Sequence, residues 1–325
     1  MSTTPAVRVH QIGGPEVLSF EEIEVAEPGP QQVLIRQTAV GLNFIDTYHR
    51  SGLYPVELPA TLGSEAAGVI EAVGDEVEGF VVGDRVAYVR GPGAYCGHRV
   101  MDASVVLRLP DPISEEQAAA ILLKGMTVEY LLRRTYPVRA GETIVWHAAA
   151  GGVGLIACQW ASHLGATVIG TVGSEEKAEL ARAHGCRHTI LYREESVPDR
   201  VRELTGGAGV PVVYDSVGKD TFQDSLDCLQ PRGMMVSFGN ASGAVPPVAP
   251  GVLAQKGSLY LTRPSLFHYT ATRDELEDCA GALFEVVGSG AVKVEVSHRY
   301  PLAEAERAHR DLESRATTGS VVLVP

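Results

Sequence analysis

The stretch TIVWHAAAGGVGLIACQWASHLGATVIGTVGS, residues 143–174, decides the fold of this chain. A short apolar run rich in β-branched residues leads into an Ala-Gly turn, an amphipathic segment follows, and a second β-branched run closes the stretch. This order predicts a buried strand at 143–148, a helix at about 152–164 and a parallel strand at 166–172. A strand–turn–helix–strand unit of about 30 residues is typical of a phosphate-binding α/β domain.

The turn itself reads Ala149-Ala150-Gly151-Gly152-Val153-Gly154. It is the pattern Gly-x-Gly-x-x-Gly with Ala149 in place of the first glycine. Small residues are needed because the backbone must approach a pyrophosphate closely, and because the helix must aim its first N–H groups at that anion. The alternative is a flexible surface loop, but the flanking elements are in the register of a dinucleotide site. The turn therefore predicts a bound dinucleotide.

The residues after the second strand indicate which dinucleotide is bound. An NAD site places an acidic residue there for the ribose 2′-hydroxyl. Here the strand ends at Gly173 and Ser174, and Glu175 and Glu176 follow in the first helical turn, where an acid suits the helix dipole. Lys177 comes next and would attract a 2′-phosphate; the alternative is a solvated helix lysine. We therefore expect NADPH.

The rest of the chain divides into two patterns. Closely spaced strands fill the first third and predict a β-barrel or sandwich, whereas strands and helices alternate after residue 113 and predict a doubly wound parallel sheet of the Rossmann type. The fold class is thus α/β with a β-rich N-terminal domain. Further strands are predicted at 188–191, 210–215, 233–239, 257–262 and 320–324, and further helices at 43–50, 114–134, 174–184, 196–205, 219–228, 273–288 and 302–315. The Pro/Gly-rich loop 241–251 is the expected mobile segment.

Composition excludes several classes of protein. The 325 residues include 27 basic and 40 acidic side chains, so the net charge of −13 does not indicate a nucleic-acid partner or an anionic membrane surface. The five cysteines are scattered and form no CxxC pair, which favours reduced thiols and a cytoplasmic location. No apolar run is long enough to predict a signal peptide or a membrane span.

A Rossmann domain preceded by a β-rich domain, to which the chain returns at its C-terminus, is similar to the medium-chain dehydrogenase/reductase superfamily. In its alcohol-dehydrogenase branch a catalytic zinc is held by a cysteine, by the histidine of a Gly-His-Glu motif and by a later cysteine. Here Asn43 stands where the first cysteine would lie, and Ser64 replaces the histidine in Gly63-Ser64-Glu65. Only Cys96 lies in the region of the four-cysteine structural lobe. We therefore expect neither zinc.

The zinc-free branch fits better. The runs at 43–55, 148–154, 170–181, 212–222, 237–247, 255–266 and 313–320 together resemble bacterial NADPH:quinone oxidoreductases of the zeta-crystallin-like type. The resemblance implies a GroES-like catalytic domain at 1–125, an NADPH-binding Rossmann domain at 126–265, and a segment at 266–325 that returns to the first domain. It also implies a homodimer that reduces a small-molecule quinone.

The resemblance assigns site residues as well. Asn43, Ile45, Asp46, Tyr48, Tyr54 and Arg263 would line the pocket beside the nicotinamide; Thr127 and the turn Ala150, Gly151, Gly152, Val153 would hold the central phosphates; Gly173, Ser174, Lys177, Tyr192 and Arg315 would surround the 2′-phosphate; and Ser216, Phe238 and Leu266 would flank the nicotinamide half. Each has a structural alternative: helix capping for Asn43 and Asp46, core packing for the three tyrosines, a helix C-terminus for Arg315 and a surface charge for Arg263.

The expected reaction is hydride transfer from NADPH to a quinone without a metal, with single-electron delivery as a variant. Tyr48 and Asn43 are the candidate donors to the oxygen on which charge develops. Two alternatives remain open at this point. One is reduction of the C=C bond of an α,β-unsaturated carbonyl compound, and the other is a non-catalytic protein that binds NADPH for a structural or regulatory purpose.

Overall fold

The computed structural model describes residues 2–325, which divide into two compact units. The first unit contains the chain up to Lys124 together with Thr272–Gly288 and Val294–Pro325, and the second contains Gly125–Ala271 and Ser289–Lys293. The expected boundary after residue 125 differs from this division by one residue. The other expected boundary was after residue 265, whereas the second compact unit extends to Ala271 and includes a short return at 289–293 that was not expected.

The strands and helices follow one another along the chain without long gaps. The strands are β1 (Ser2–Val9), β2 (Leu18–Val25), β3 (Gln32–Leu42), β4 (Ala60–Thr61), β5 (Glu65–Val73), β6 (Arg85–Val89), β7 (His98–Asp102), β8 (Val106–Arg108), β9 (Thr143–Trp146), β10 (Thr167–Val172), β11 (His188–Leu191), β12 (Val210–Asp215), β13 (Leu229–Ser237), β14 (Tyr260–Thr262), β15 (Val296–Pro301) and β16 (Ser320–Val324). The helices are α1 (Phe44–Ser51), α2 (Glu115–Tyr130), α3 (Gly152–His163), α4 (Glu175–Ala183), α5 (Val197–Leu204), α6 (Phe222–Asp227), α7 (Pro250–Gln255), α8 (Leu266–Tyr269), α9 (Arg273–Gly288) and α10 (Ala305–Glu313).

The first unit is built on β-sheets. Its main sheet has the order β15-β16-β3-β5-β6-β8, β7 also pairs with β3, and a second sheet has the order β2-β1-β4. Aliphatic side chains from alternate positions of these strands, with the buried rings of Tyr88 and Tyr95, form one core. The expected β-rich N-terminal domain is confirmed. Strand β15 was not predicted.

The second unit is a six-stranded, all-parallel sheet with the order β11-β10-β9-β12-β13-β14. The chain reverses direction across the sheet between β9 and β12, and ligands of such sheets bind at the carboxyl ends of the strands at this switch point. The predicted doubly wound Rossmann sheet is confirmed. Helix α7 was not predicted. It begins at Pro250, because a proline's fixed φ suits the first turn of a helix.

Two smaller observations complete the fold. Helix α1 follows Asn43, whose backbone is extended, and ends at Gly52, whose φ of +79° is left-handed. Within residues 2–325, none of the helices combines the length and apolar character that a bilayer crossing requires.

Candidate functional site

The Ala-Gly turn joins β9 to α3 as predicted. Gly151 precedes the helix in an extended conformation, so the first N–H groups of α3 point out of the carboxyl end of the sheet. Gly154 sits where no other residue fits, because a Cβ there would lie 2.4 Å from the carbonyl oxygen of Ala148 and 2.7 Å from the carbonyl carbon of Ala149. The turn therefore combines close helix–strand packing with a site that attracts phosphate.

The alanine that replaces the first glycine is accommodated by the neighbouring strand. A Cβ on Gly170 of β10 would lie 2.5 Å from the Cβ of Ala149. The missing side chain at Gly170 thus makes room for the methyl group of Ala149, which is completely buried. The two positions compensate for each other, and the turn keeps its shape without the first glycine of the motif.

Four of the five residues predicted to hold a 2′-phosphate, Gly173, Ser174, Lys177 and Tyr192, follow the neighbouring strands β10 and β11. A Cβ on Gly173 would lie 2.8 Å from the Tyr192 hydroxyl, so the glycine lets that ring approach the strand end. Ser174 caps α4, because its hydroxyl accepts the N–H of Lys177 at 3.4 Å. Glu175 forms an ion pair with Arg182 further along the helix. This ion pair holds the Glu175 carboxylate towards the later part of α4, whereas Lys177 lies in the first turn, near the end of β10.

A buried carboxylate holds the turn after β12, where the nicotinamide half is predicted to bind. One oxygen of Asp215 accepts the N–H groups of Val217 and Gly218 at 2.8 and 3.0 Å. The other accepts the hydroxyls of Thr221 and Ser225 at 2.7 and 2.8 Å. The two backbone bonds fix the chain that follows the predicted ligand Ser216, and the two hydroxyl bonds tie this turn to α6.

His147 connects this turn to the adenosine side of the sheet. Its Nε2 lies 3.0 Å from the Ser225 hydroxyl and its Nδ1 lies 2.9 Å from the Thr171 hydroxyl. Because Ser225 gives its proton to Asp215, we assign the hydrogen of His147 to Nε2. Burial lowers the pKa of His147, which keeps the ring neutral. No pattern of spacing signalled this network, since its members are brought together only by the parallel sheet.

Other predicted residues of the second unit have defined surroundings. The guanidinium of Arg263 donates to the Ser237 hydroxyl at 3.2 Å and to the Gly239 carbonyl at 2.9 Å. The Phe238 ring packs 5.4 Å from that of Trp146, between centroids. Leu266 is buried at the start of α8, and Thr127 lies on α2. Arg263 thus also braces the loop that follows β13.

The positions of the two lost zinc ligands are occupied by hydrogen-bonding groups. The side-chain amide of Asn43 donates to Glu65 at 2.7 Å, and Ser64 donates to Asp46 at 3.1 Å. The ammonium of Lys124 lies 3.4 Å from Glu65, which is fully buried. Within residues 2–325 no cluster of three or more His, Cys, Asp or Glu side chains has the arrangement of a metal site. The donors present suit a hydrogen-bond network.

Glu65 and Lys124 were not singled out from the sequence. The Asn43–Glu65 and Glu65–Lys124 contacts span 22 and 59 residues, so a reading along the chain offers only the Gly-Ser-Glu run as a hint. The Leu123 N–H adds a bond of 2.6 Å to Glu65. Amide, ammonium and backbone donors together balance the buried carboxylate.

The remaining predicted residues of the first unit lie on or near α1, with one exception. The rings of Tyr48 and Tyr54 meet edge to face with centroids 5.2 Å apart, and Ile45 is half-buried one turn earlier. Arg315 follows α10 with a left-handed φ of +61°. The structure thus brings Asn43, Ile45, Tyr48 and Tyr54 together on one short segment.

Comparison with known proteins identifies the family to which this chain belongs. Family models described as "Alcohol dehydrogenase GroES-like domain" and "Zinc-binding dehydrogenase" match residues 29–134 and 152–284. A Quinone oxidoreductase of Pseudomonas aeruginosa is 59% identical over 315 residues, which cover 96% of this chain and 97% of that protein. The chain belongs to the quinone oxidoreductase branch of the medium-chain dehydrogenase/reductase family. The resemblance described from its sequence motifs is confirmed.

Two further members of the family bear on function. The crystal structure of an Escherichia coli quinone oxidoreductase complexed with NADPH superposes with a TM-score of 0.97 at 53% identity, covering 100% of both chains. A 2-haloacrylate reductase from a Burkholderia species is 48% identical over 328 residues, covering 98% of each. The fold of this chain is therefore shared by relatives that are named for two kinds of acceptor.

A zinc chelator is expected to leave the activity of this quinone oxidoreductase family member unchanged, because Asn43 and Ser64 cannot replace thiolate and imidazole ligands. The measurement is the rate of NADPH oxidation before and after prolonged dialysis against a chelator, with a zinc-dependent alcohol dehydrogenase as a matched control. Inhibition that added zinc reverses would contradict the expectation.

Proposed function

We propose that this chain is an NADPH-dependent quinone oxidoreductase that works without a metal. The observation that carries the proposal is the end of β10, where Gly173, Ser174 and Lys177 stand in place of an acidic residue and Glu175 is paired with Arg182. A 2′-phosphate is attracted by this arrangement, whereas a carboxylate would repel it. Relatives named for quinone reduction support the acceptor.

We assign residues of this chain to each part of the NADPH molecule. When bound, NADPH supplies the hydride, and the protein supplies position and electrostatics. The assigned residues are Thr127, Ala150, Gly151, Gly152 and Val153 for the central phosphates, Gly173, Ser174, Lys177, Tyr192 and Arg315 for the 2′-phosphate, and Asn43, Ile45, Ser216, Phe238 and Leu266 for the nicotinamide half.

Substrate contacts are assigned to the segment around α1. A carbonyl oxygen that gains charge during reduction is stabilised by a fixed hydrogen-bond donor. The Tyr48 hydroxyl and the Asn43 amide are donors of this kind, and Tyr54 fixes the Tyr48 ring by its edge-to-face contact. Because Arg263 donates to Ser237 and Gly239, we assign it to holding the shape of the loop that follows β13.

A steady-state assay tests the function. NADPH and NADH are each supplied with 1,4-benzoquinone, 9,10-phenanthrenequinone and a panel of enones. We expect quinones to be the better acceptors and NADPH to exceed NADH in kcat/KM by about ten- to a hundredfold, the value of one charge-assisted phosphate contact. Tight NADPH binding without turnover of any acceptor would identify a binding protein and end the proposal.

A second candidate function is reduction of the C=C bond of an α,β-unsaturated carbonyl compound. The 2-haloacrylate reductase relative favours it, since that protein is named for an unsaturated acid and covers nearly the whole chain. Both reactions place negative charge on an oxygen, so both require the same donor. The enone panel separates them, because an enone reductase shows the higher kcat/KM with enones.

The assembly and location are also proposals. Strand β14 is an edge strand of the six-stranded sheet, and Tyr260 and Leu261 on it are 59% and 37% exposed. Edge strands with apolar exposure favour pairing, and a two-fold axis through this edge would join two sheets into one. We therefore propose a homodimer. The five cysteines are unbridged and buried, which is consistent with a cytoplasmic protein.

A further inference from the structure

Asp46 is a fully buried carboxylate that is hydrogen-bonded to the backbone of Asn43. One of its oxygens accepts the backbone N–H of Asn43 at 2.9 Å and the hydroxyl of Tyr95 at 3.1 Å. The other accepts the hydroxyl of Ser64 at 3.1 Å. None of its side-chain surface is exposed, so Asp46 acts through the groups it holds and not by its own contact with substrate.

A chain of hydrogen bonds runs from Arg50 through His309 of α10 and Tyr95 to Asp46. Arg50 can only donate, so the Nδ1 of His309, at 2.8 Å, is an acceptor and the ring hydrogen lies on Nε2. That Nε2 lies 3.0 Å from the Tyr95 oxygen, which leaves the Tyr95 hydrogen for Asp46. Every donor in the chain therefore points towards the carboxylate. Arg50 is itself held by Glu313 at 2.7 Å.

Asp46 differs from the other members of this network in the direction or the size of its pKa shift. Burial raises the pKa of Asp46 to about 7, against the opposing effect of its three hydrogen bonds and with a contribution from the nearby Glu65. Burial and the charge of Arg50 lower the pKa of His309 to about 3. Burial raises the pKa of Tyr95 well above its ordinary value. Around neutral pH, Asp46 is the member of this group that changes charge.

Protonation disturbs the arrangement because each oxygen of Asp46 already faces donors. A proton on either oxygen must point at Ser64 or Tyr95, both of which now present hydrogens to it. The Tyr95 oxygen also accepts from His309, so its hydrogen has no ready alternative direction. The bond to the Asn43 N–H weakens when the carboxylate loses its charge. The N-terminus of α1 and the Asn43 amide that donates to Glu65 are then held less firmly.

We propose that ionised Asp46 is a positioning residue that holds Asn43 and the start of α1 in the arrangement required for reduction, and that the Tyr95–His309–Arg50 chain stabilises this ionised form. The proposal rests on the proposed function, in which Asn43 contacts the nicotinamide or the acceptor. Activity therefore rises with pH as Asp46 ionises. The charged and titratable groups that surround Asp46 are Glu65, Tyr95, His309 and Arg50, with Lys124 beyond Glu65.

The test is the pH profile of kcat/KM for a quinone, from about pH 5 to about pH 9, for the wild type, Asp46→Asn and Tyr95→Phe. We expect a rise across neutral pH in the wild type and a flat, low profile for Asp46→Asn. Loss of the Tyr95 donor moves the inflection up by about one to two pH units. Tyr88→Phe is the matched control, since Tyr88 is an equally buried tyrosine that donates to Gln37, and it leaves the inflection in place.

An inflection that persists in Asp46→Asn overturns the proposal. If that variant does not fold, Tyr95→Phe decides, because an unmoved inflection has the same meaning. A second readout needs no activity. Asp46 ionises at lower pH in the unfolded chain than in the folded protein. As the pH rises from about 4 to about 7, the wild type therefore loses thermal stability relative to Asp46→Asn. A wild type that reduces no quinone refutes the proposed function, while this stability difference still reports on Asp46.

Discussion

Replacing Gly154 with alanine is expected to lower kcat/KM for NADPH by about a hundredfold, the effect of displacing a bound reactant by about 1 Å. The added Cβ would lie 2.4 Å from the Ala148 carbonyl oxygen, and both this atom and the Ala149 carbonyl carbon are backbone, so no side chain can turn away. Helix α3 must move off the turn, and its first N–H groups lose their aim at the phosphates.

The variant is also expected to unfold at a lower temperature, since overpacking costs about 1–3 kcal/mol. Thermal unfolding and titration with NADPH measure the two effects separately. Gly281→Ala is the matched control, because Gly281 lies in α9 and a Cβ there meets nothing within 4 Å. That control is expected to keep its activity and to gain up to about 1 kcal/mol of stability from helix propensity. Wild-type affinity for NADPH in Gly154→Ala would contradict the role given to the turn.

Local patterns predicted the second unit well because each βαβ step is complete within a few tens of residues. The buried β-branched runs, the turn at 149–154 and the helices between strands all carry their signal in neighbouring positions. Strand order then follows from the short connections and their fixed handedness. The short strand β15 was missed because only Val296 and Tyr300 of its six residues combine a large apolar side chain with strand propensity, although its positions alternate regularly in burial.

The supporting side chains of the site could not be predicted, because their contacts are made across the fold. Tyr95 meets Asp46 over 49 residues and His309 over 214 residues. His147, which follows β9, bonds to Thr171 of β10 and to Ser225 of α6, and only the assembled sheet brings these residues together. A sequence shows the residues that touch a ligand through motifs, but it contains no local sign of the groups that hold those residues in place.

Replacing Lys177 with alanine is expected to reduce the preference for NADPH over NADH by about ten- to a hundredfold, mainly through a higher KM for NADPH. The ammonium is the cation in the first turn of α4, and Ser174 already uses its hydroxyl to cap that helix. No acidic residue ends β10 to bind a ribose hydroxyl, so the KM for NADH has no comparable contact to lose.

Lys293→Ala is the matched control for this variant, since Lys293 is an exposed lysine of the same unit whose backbone, and not its ammonium, bonds to Gln159. The two coenzymes are compared at several salt concentrations. A phosphate contact makes the wild-type preference fall as salt rises, and the preference of Lys177→Ala should change little with salt. Equal increases in KM for NADPH and NADH would show that Lys177 stabilises α4 without recognising the phosphate, and Arg315 would then be the remaining cation among the residues assigned to it.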